Sequence, residues 1–423
     1  MTEPAKGLFA ARQNRAAAMP FIMLASLIDM ISIGLIIPVL PALVGSFTHS
    51  QTEQAHWYVL VAGTFGLANF FGSPILGALS DSFGRRPVLL IGFCGLMFSF
   101  FATAFAPSLR VLVGIRLVAG AMQANISVCN AYVADITPPE ERARRFGMLG
   151  AMFGIGFVLG PVIGGVLGEI NLRLPFIVAG SMAVLNLLYG FFVLPESLPV
   201  ARRRGFQWSN TNPFRSLYGL TQLKGAGSLV GTVACAGLAQ FLLYTSWVLY
   251  TTFKFGWGTR ENGWSLAAVG IVAAVTQGLL LGPILRRISA RRLAVLGLIS
   301  STCAYALWGA ATQSWMMFAI IFVNILGATV GAAIQSIISS AADAHEQGKT
   351  LGAVGGLNSL MAVLAPLIAY LPLQMVSHLP RGDWRIGAPF YLCALLQATA
   401  LMLTIAHFRR ERIARRSVTA AAG

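Results

Sequence analysis

Long stretches of this chain carry almost no charge. Between breaks at charged residues or Pro/Gly turns, windows of about 20 predominantly apolar residues can be marked twelve times along the 423 residues. That length constrains the fold, because a helix of about 20 apolar residues crosses the hydrocarbon core of a bilayer while satisfying its own backbone. The windows fall at about 19–44, 57–80, 87–106, 110–133, 146–168 and 175–194, then at about 228–250, 263–285, 293–312, 315–340, 350–375 and 388–407. Charged residues make up 10% of the chain and hydrophobic ones 56%, against about 25% and 45–50% in soluble domains, which excludes an ordinary soluble enzyme. No period-2 alternation suggests a β-barrel. The expected fold class is an all-α membrane protein with twelve transmembrane helices.

The formal net charge of +16 has an explanation other than nucleic acid. With the N-terminus inside, the segments on the cytoplasmic side hold 23 Lys and Arg residues against 6 on the outside, and Arg116 within a span completes the 30. Such an excess predicts a multi-pass protein with both termini cytoplasmic, in contact with the lipid bilayer and not with nucleic acid. About 18 polar residues precede the first span with no small-residue cleavage site, so that span is expected to stay. Cys94, Cys129, Cys235, Cys303 and Cys393 all lie in apolar runs, with neither paired spacing nor a zinc pattern, and read as packing residues; no metal is expected.

The longest polar stretch, with Arg202, Arg203, Arg204, Asn210, Asn212 and Pro213, divides the spans six and six. The expected organisation is a cytoplasmic tail (1–18), a six-helix bundle (19–194), a cytoplasmic linker (195–227), a second six-helix bundle (228–407) and a basic cytoplasmic tail (408–423). The halves echo one another. Gly77 to Arg86 closes the second span as a short basic turn, and 205 residues later Gly282 to Arg291 closes the eighth. Parallel repeats of this kind are the layout of two-bundle secondary transporters, with the substrate site near the midplane.

Several motifs carry chemistry. In Gly77-Ala-Leu-Ser-Asp81-Ser-Phe-Gly84-Arg85-Arg86-Pro87 the chain must turn within a few residues; Gly84 can supply the backbone angle and Pro87 suits a first helical turn, bringing Asp81 and Arg85 within pairing reach. In the fourth span Arg116 and Gly120 are followed by Gln123. In the fifth, Gly156, Gly160, Gly164 and Gly168 recur every four residues beside Pro161 and Gly165. Glycines at that interval drift about 40° per step, making a smooth stripe on which another helix can pack closely. The first span contains Asp29-Met-Ile-Ser-Ile-Gly34-Leu-Ile-Ile-Pro38-Val-Leu-Pro41, and the second half Trp247-Val-Leu-Tyr, Phe255-Gly-Trp257 and His345-Glu-Gln-Gly348.

Together these motifs resemble the major facilitator superfamily: the 77–87 loop its signature, the fifth-span glycines the antiporter motif of drug/proton exchangers, the first-span motif the tetracycline-efflux branch. The resemblance implies the major facilitator fold and a latch in which Asp81, Arg85 and Asp135 form a charge network. It also implies efflux of an amphipathic small molecule in exchange for protons across a bacterial inner membrane by a monomer. An exporter of an endogenous metabolite or siderophore is the alternative on the same scaffold. Dedicated tetracycline exporters of this branch carry further acids in the third and ninth spans, where this chain has only Ser99 and Thr302. Weak or no tetracycline resistance is therefore expected.

Of the 14 acids, Asp29 alone sits well inside a span, and Arg116 is the only base that does. A charge at the bilayer centre costs at least about 2.5 kcal/mol, so an intramembrane ion marks a functional site. Asp29 with Arg116 is the expected proton-coupling pair. Arg116, Gln123 and Asn130 step by seven, and Asn324 and Gln335 lie eleven apart, spacings that place each set on one helix face. Asn69, Gln123 and Gln277 are the expected substrate-cavity residues, Asn69 and Gln277 by position in the family as well as polarity. No nucleotide-binding Gly-rich loop is present, so energy comes from the proton gradient with no bound cofactor. Nor do the spans hold a His/Asp/Ser, paired-carboxylate or metal constellation of an enzyme.

Overall fold

The computed structural model describes residues 3–123, 125–208, 211–214, 227–341 and 347–422, and among these there are helices and no strands. Among the described residues, eleven helices are long and apolar enough to cross a membrane, and the bent pair Ser314–Val323 and Gly327–Ile338, inclined by 53°, makes a twelfth if counted as one span. Helix α1 (Glu3–Ile36) is followed by the short α2 (Leu40–Gly45). The expected 19–44 span is interrupted at residues 37–39 because Pro38 offers no N–H to the ladder, while a proline opens α2. Then come α3 (Gln51–Phe83), α4 (Arg85–Ala104), α5 (Leu109–Met122), α6 (Asn125–Ile136), α7 (Arg142–Ile170) and α8 (Leu174–Val193). The second half has α9 (Gly227–Phe255), α10 (Thr259–Val275), α11 (Leu281–Arg287), α12 (Ala290–Ala310), α13 (Ser314–Val323), α14 (Val330–Ala341), α15 (Gln347–Val376) and α16 (Ala388–Ala422).

Two compact units emerge. The first comprises Met1–His49, Leu60–Asn212 and Gly258–Gly270. In it α1 packs on α7 and α8, and α4 on α8 and α5. Phe21, Ile22, Leu89, Phe93 and Tyr132 fill one end of its core, and Leu35, Val39, Phe100 and Phe176 the other. Lipid is as apolar as these side chains, so close packing and not water exclusion holds the helices together, and small residues set the approach. The glycine stripe of α7 supplies that approach: a Cβ on Gly160 would stand 2.7 Å from the Cα of Gly34, and one on Gly164 would meet the backbone of Leu35.

The second unit comprises Ser50–Val59, Pro213–Trp257 and Ile271–Gly423. Here α9 packs on α16 and α15, and α12 on α16, around Leu293, Leu298, Val330, Ile334, Met361 and Ala400. An aromatic cluster of Trp247, Tyr250, Trp308 and Phe390 adjoins the C-terminal ends of α9 and α12. The Tyr250 hydroxyl donates to the Trp308 carbonyl at 2.5 Å and Lys254 Nζ donates to the Gly309 carbonyl at 2.8 Å. A lysine this deep is tolerable because its carbonyl partner and the Tyr250 ring, 5.4 Å away, replace part of its hydration.

Candidate functional site

The first unit gathers most of the ionic chemistry expected of the chain. Asp29, in the C-terminal third of α1, is 5% exposed, and its carboxylate accepts from Asn125 Nδ2 at 3.1 Å. Asn125 opens α6, immediately after a break: α5 ends at Met122, and Gln123 takes an extended conformation (φ −96°, ψ 97°). The carbonyls at this break are captured by Asn69, whose Nδ2 donates to the Gln123 carbonyl at 2.5 Å and to that of Gly120 at 3.4 Å. A helix interrupted within a membrane needs such substitutes. Asn69 and Gln123 are thus brought together, side chain to backbone.

Arg116 is 6% exposed and its guanidinium lies 5.6 Å from the centre of the Phe65 ring. The structure does not bring Asp29 and Arg116 into an ion pair; Asn125 holds the carboxylate instead. The heptad step joining Arg116, Gln123 and Asn130 does not describe one face, because the chain leaves the helix at Gln123. Asn324 and Gln335 are likewise separated by the 53° bend.

The stripe of α7 lies directly over this part of α1. Gly156 faces Met30 and Ile31, Gly160 faces Gly34, and Gly164 faces Leu35. Gly165 and Pro161 turn toward Gly263 of α10, and the Thr259 hydroxyl donates to the Gly165 carbonyl at 3.0 Å. Gly168 meets both Val39 and Thr259. Asp29 therefore sits in a helix whose neighbour is smooth and close on one side.

At the α3–α4 turn, Gly84 has φ of +110°, a conformation that favours glycine. Arg85 is the centre of the charge network: its Nη1 lies 2.5 Å from Asp81 and its Nε 3.1 Å from Asp135, while Nη1 also donates to the Ser80 hydroxyl at 2.6 Å. Glu196 lies outside the expected spans, and its part is not evident from the sequence. The Glu196 carboxylate accepts from the backbone N–H of Arg85 at 2.8 Å and of Arg86 at 3.2 Å, capping α4 from a distant segment because Gly84 has no side chain to do so. Arg86 reaches the Phe191 carbonyl at 2.6 Å, the Tyr132 hydroxyl donates to that of Pro195 at 2.8 Å, and the Arg204 N–H donates to that of Asp81 at 3.1 Å. One signal could have found Glu196: it is the single acid between residues 195 and 227, directly after the sixth span. Gly77 has open space where a Cβ would be, so no close approach requires a glycine there.

Gln277 lies in the second unit, exposed, within a π-helical turn at Thr276–Leu280. Of the second-half motifs, Trp247, Tyr250, Phe255 and Trp257 enter the aromatic cluster, whereas His345 and Glu346 lie outside the described residues.

A family model described as Major Facilitator Superfamily matches residues 22–366 and 229–423. The chain belongs to this superfamily. It is 36% identical over 373 residues to the class C tetracycline resistance protein of Escherichia coli, covering 87% of this chain and 93% of that one. To the class B protein of Escherichia coli it is 32% identical over 383 residues, or 90% and 94% of the two chains. Among solved structures, the human organic anion transporter MFSD10 (TETRAN) superposes with a TM-score of 0.67 at 22% identity, over 92% of this chain and 99% of that one. The nucleoside transporter NupG gives 0.75 at 12% identity, over 92% and 99%. These likenesses establish a multi-spanning membrane transporter of the major facilitator fold.

Proposed function

We propose that the protein is a proton-coupled antiporter that exports an amphipathic small molecule by alternating access; its likeness to tetracycline resistance proteins supports the exporter reading. One observation carries the coupling: Asp29, the single acid deep inside a span, is buried in α1 and held by Asn125. A carboxylate there can bind a proton from one side of the membrane and release it to the other. A proton moving down the membrane potential supplies about 2.3 kcal/mol per 100 mV, before any pH difference. Arg116, near Phe65, supplies a fixed positive charge within the same unit, so that the unit's interior charge changes only when Asp29 takes up or gives up its proton.

In this reading access alternates between the two faces of the membrane, and Asn69, Gln123 and Gln277 are substrate-contacting residues. The Asp81–Arg85–Asp135 network latches the cytoplasmic side. Both termini are cytoplasmic, the membrane is a bacterial inner membrane, and the working unit is a monomer. With one deep carboxylate, proton and substrate compete at one site, which favours neutral, zwitterionic or singly charged substrates and disfavours dications. The test is a resistance panel in an efflux-deficient host, followed by ΔpH-driven uptake of the exported compound into everted vesicles. Asp29→Asn should insert normally and lose gradient-driven uptake; active uptake retained by this variant would refute the assignment.

A further inference from the structure

The interior of the second unit has an irregularity that the coupling chemistry does not use. Two of its spans lose α-helical geometry and meet there. The π-turn Thr276–Leu280, between α10 and α11, packs against the 3₁₀ turn Gly327–Thr329, between α13 and α14. Helix α12 completes the junction. The Ser300 hydroxyl donates to Asn324 Oδ1 at 2.9 Å, and Gly297 lies against the Leu326 carbonyl and the Thr329 hydroxyl. Ser301 and Asn324 both reach the space a Cβ on Gly327 would fill. Wide and tight turns inside spanning helices are uncommon and are sustained where they line a site.

One side chain at this junction is left unsatisfied. Threonine in a helix ordinarily returns its hydroxyl to the carbonyl four residues back, as Thr245, Thr302, Thr399 and Thr404 do at 2.8–2.9 Å. Thr276 does not. It is 0% exposed and its Oγ1 has no hydrogen-bond partner among the described residues, although valine would fill the same space without that unmet donor. Asn324, by contrast, is partly accessible, so the junction is not sealed. The segments that form it, 271–285, 293–310 and 314–341, contain no charged residue. The site therefore offers hydroxyls, an amide and carbonyl oxygens, with nothing to neutralise a carboxylate or an ammonium group.

We infer that the junction of Thr276, Ser301 and Asn324 is a binding site for the uncharged hydrogen-bonding edge of an amphipathic molecule, one presenting hydroxyl, keto or carboxamide groups in a row. Binding there satisfies the Thr276 hydroxyl and engages the broken segment of the tenth span. The inference deepens the exporter reading and rests on it for treating the ligand as the transported molecule. It assigns polar recognition to the second unit and leaves proton exchange with Asp29 in the first.

The test is equilibrium dialysis of purified, detergent-solubilised protein against tetracycline, chosen because it carries such an edge, with no gradient imposed. Wild type should bind saturably but weakly, in keeping with the weak or absent resistance expected of the chain. Thr276→Val and Ser301→Ala should each weaken binding about fivefold, the loss of one neutral hydrogen bond, and Thr276→Ser should bind as wild type. Thr276→Val removes no contact that holds the fold, so its unfolding temperature should equal or exceed that of wild type. Asn324→Leu should weaken binding further, and is read only if its unfolding temperature is preserved. Equal affinity in Thr276→Val, Ser301→Ala and wild type would overturn the site; absence of tetracycline binding to wild type would overturn the ligand class assigned to it. Proton coupling is read separately: its failure would leave these affinity differences in place, and their absence would leave coupling in place.

Discussion

The two compact units of this transporter handle polarity in opposite ways. In the first, ions are buried or half-buried and held in place: Asp29 by Asn125, Arg85 by Asp81 and Asp135, and the start of α4 by Glu196. In the second, the segments around the tenth-span break carry no charge, and polarity is supplied by hydroxyls, an amide and helix irregularities. Buried charge is costly, and the second unit keeps its buried Lys254 at the C-terminal end of α9, outside the segments around this break. Neutral groups are cheaper to bury and suit the recognition of a molecule that has to leave again.

The contrast is broken most severely at Asp29. Asp29→Asn should reduce gradient-driven export to background while leaving expression and insertion intact, as read in everted vesicles. Thr276→Val, on the neutral side, should retain coupling and change the concentration dependence only.

Packing comes next. A Cβ on Gly164 would run into the backbone of Leu35, whereas one on Gly154 meets nothing within 4 Å. Gly164→Ala should destabilise the protein by about 2 kcal/mol, the usual cost of overpacking a tight interface, and Gly154→Ala should be neutral. Thermal unfolding in detergent distinguishes them, and equal shifts would show that the α1–α7 contact is not held as described.

The helices and their order are legible in the sequence because about 20 uncharged apolar residues leave few alternatives. The interruptions are not. Asn324 and Gly327 do not lower the hydropathy of the 315–340 window enough to be noticed, so a bent span reads as a straight one, and the face assigned to Asn324 and Gln335 goes with it. The same holds at Gln123, where counting by seven runs across a break. Asn125 is visible only as one neutral polar residue among many; its contact with Asp29 depends on how α1 and α6 meet, which no local pattern encodes. Arg85 with Asp81 is legible, since four residues separate them. Glu196, 111 positions from Arg85 along the chain, is not.

The remaining effects are smaller. Arg85→Ala leaves Asp81 and Asp135 facing one another without their cation, and turnover should fall about tenfold with substrate affinity unchanged, consistent with a lost coupling of about 1.4 kcal/mol. Loss of affinity with full maximal rate would refute the latch. Glu196→Gln weakens the charge-assisted cap on α4 and should cost about 1 kcal/mol in thermal stability.

The smallest effect is expected at Asp383, in an exposed turn of the second unit. There the Arg385 side chain, helped by its backbone N–H, holds the carboxyl below the usual carboxylate range. A depressed folded value means the contribution is present above the ordinary carboxylate pKa of about 3.9 and is lost as pH falls through the lower folded value. Asp383→Asn should therefore lower the unfolding temperature slightly at neutral pH, leave it unchanged at acid pH, and so flatten the acid limb.

The central claim is that a single carboxylate in the first unit exchanges the proton that drives export. Its most direct test is a pH-sensitive dye sealed inside proteoliposomes, with proton movement followed on adding the exported compound. The account predicts substrate-dependent proton movement in the wild type, opposite in direction to the substrate, and none in Asp29→Asn reconstituted at equal density. Equal proton movement in both would contradict it.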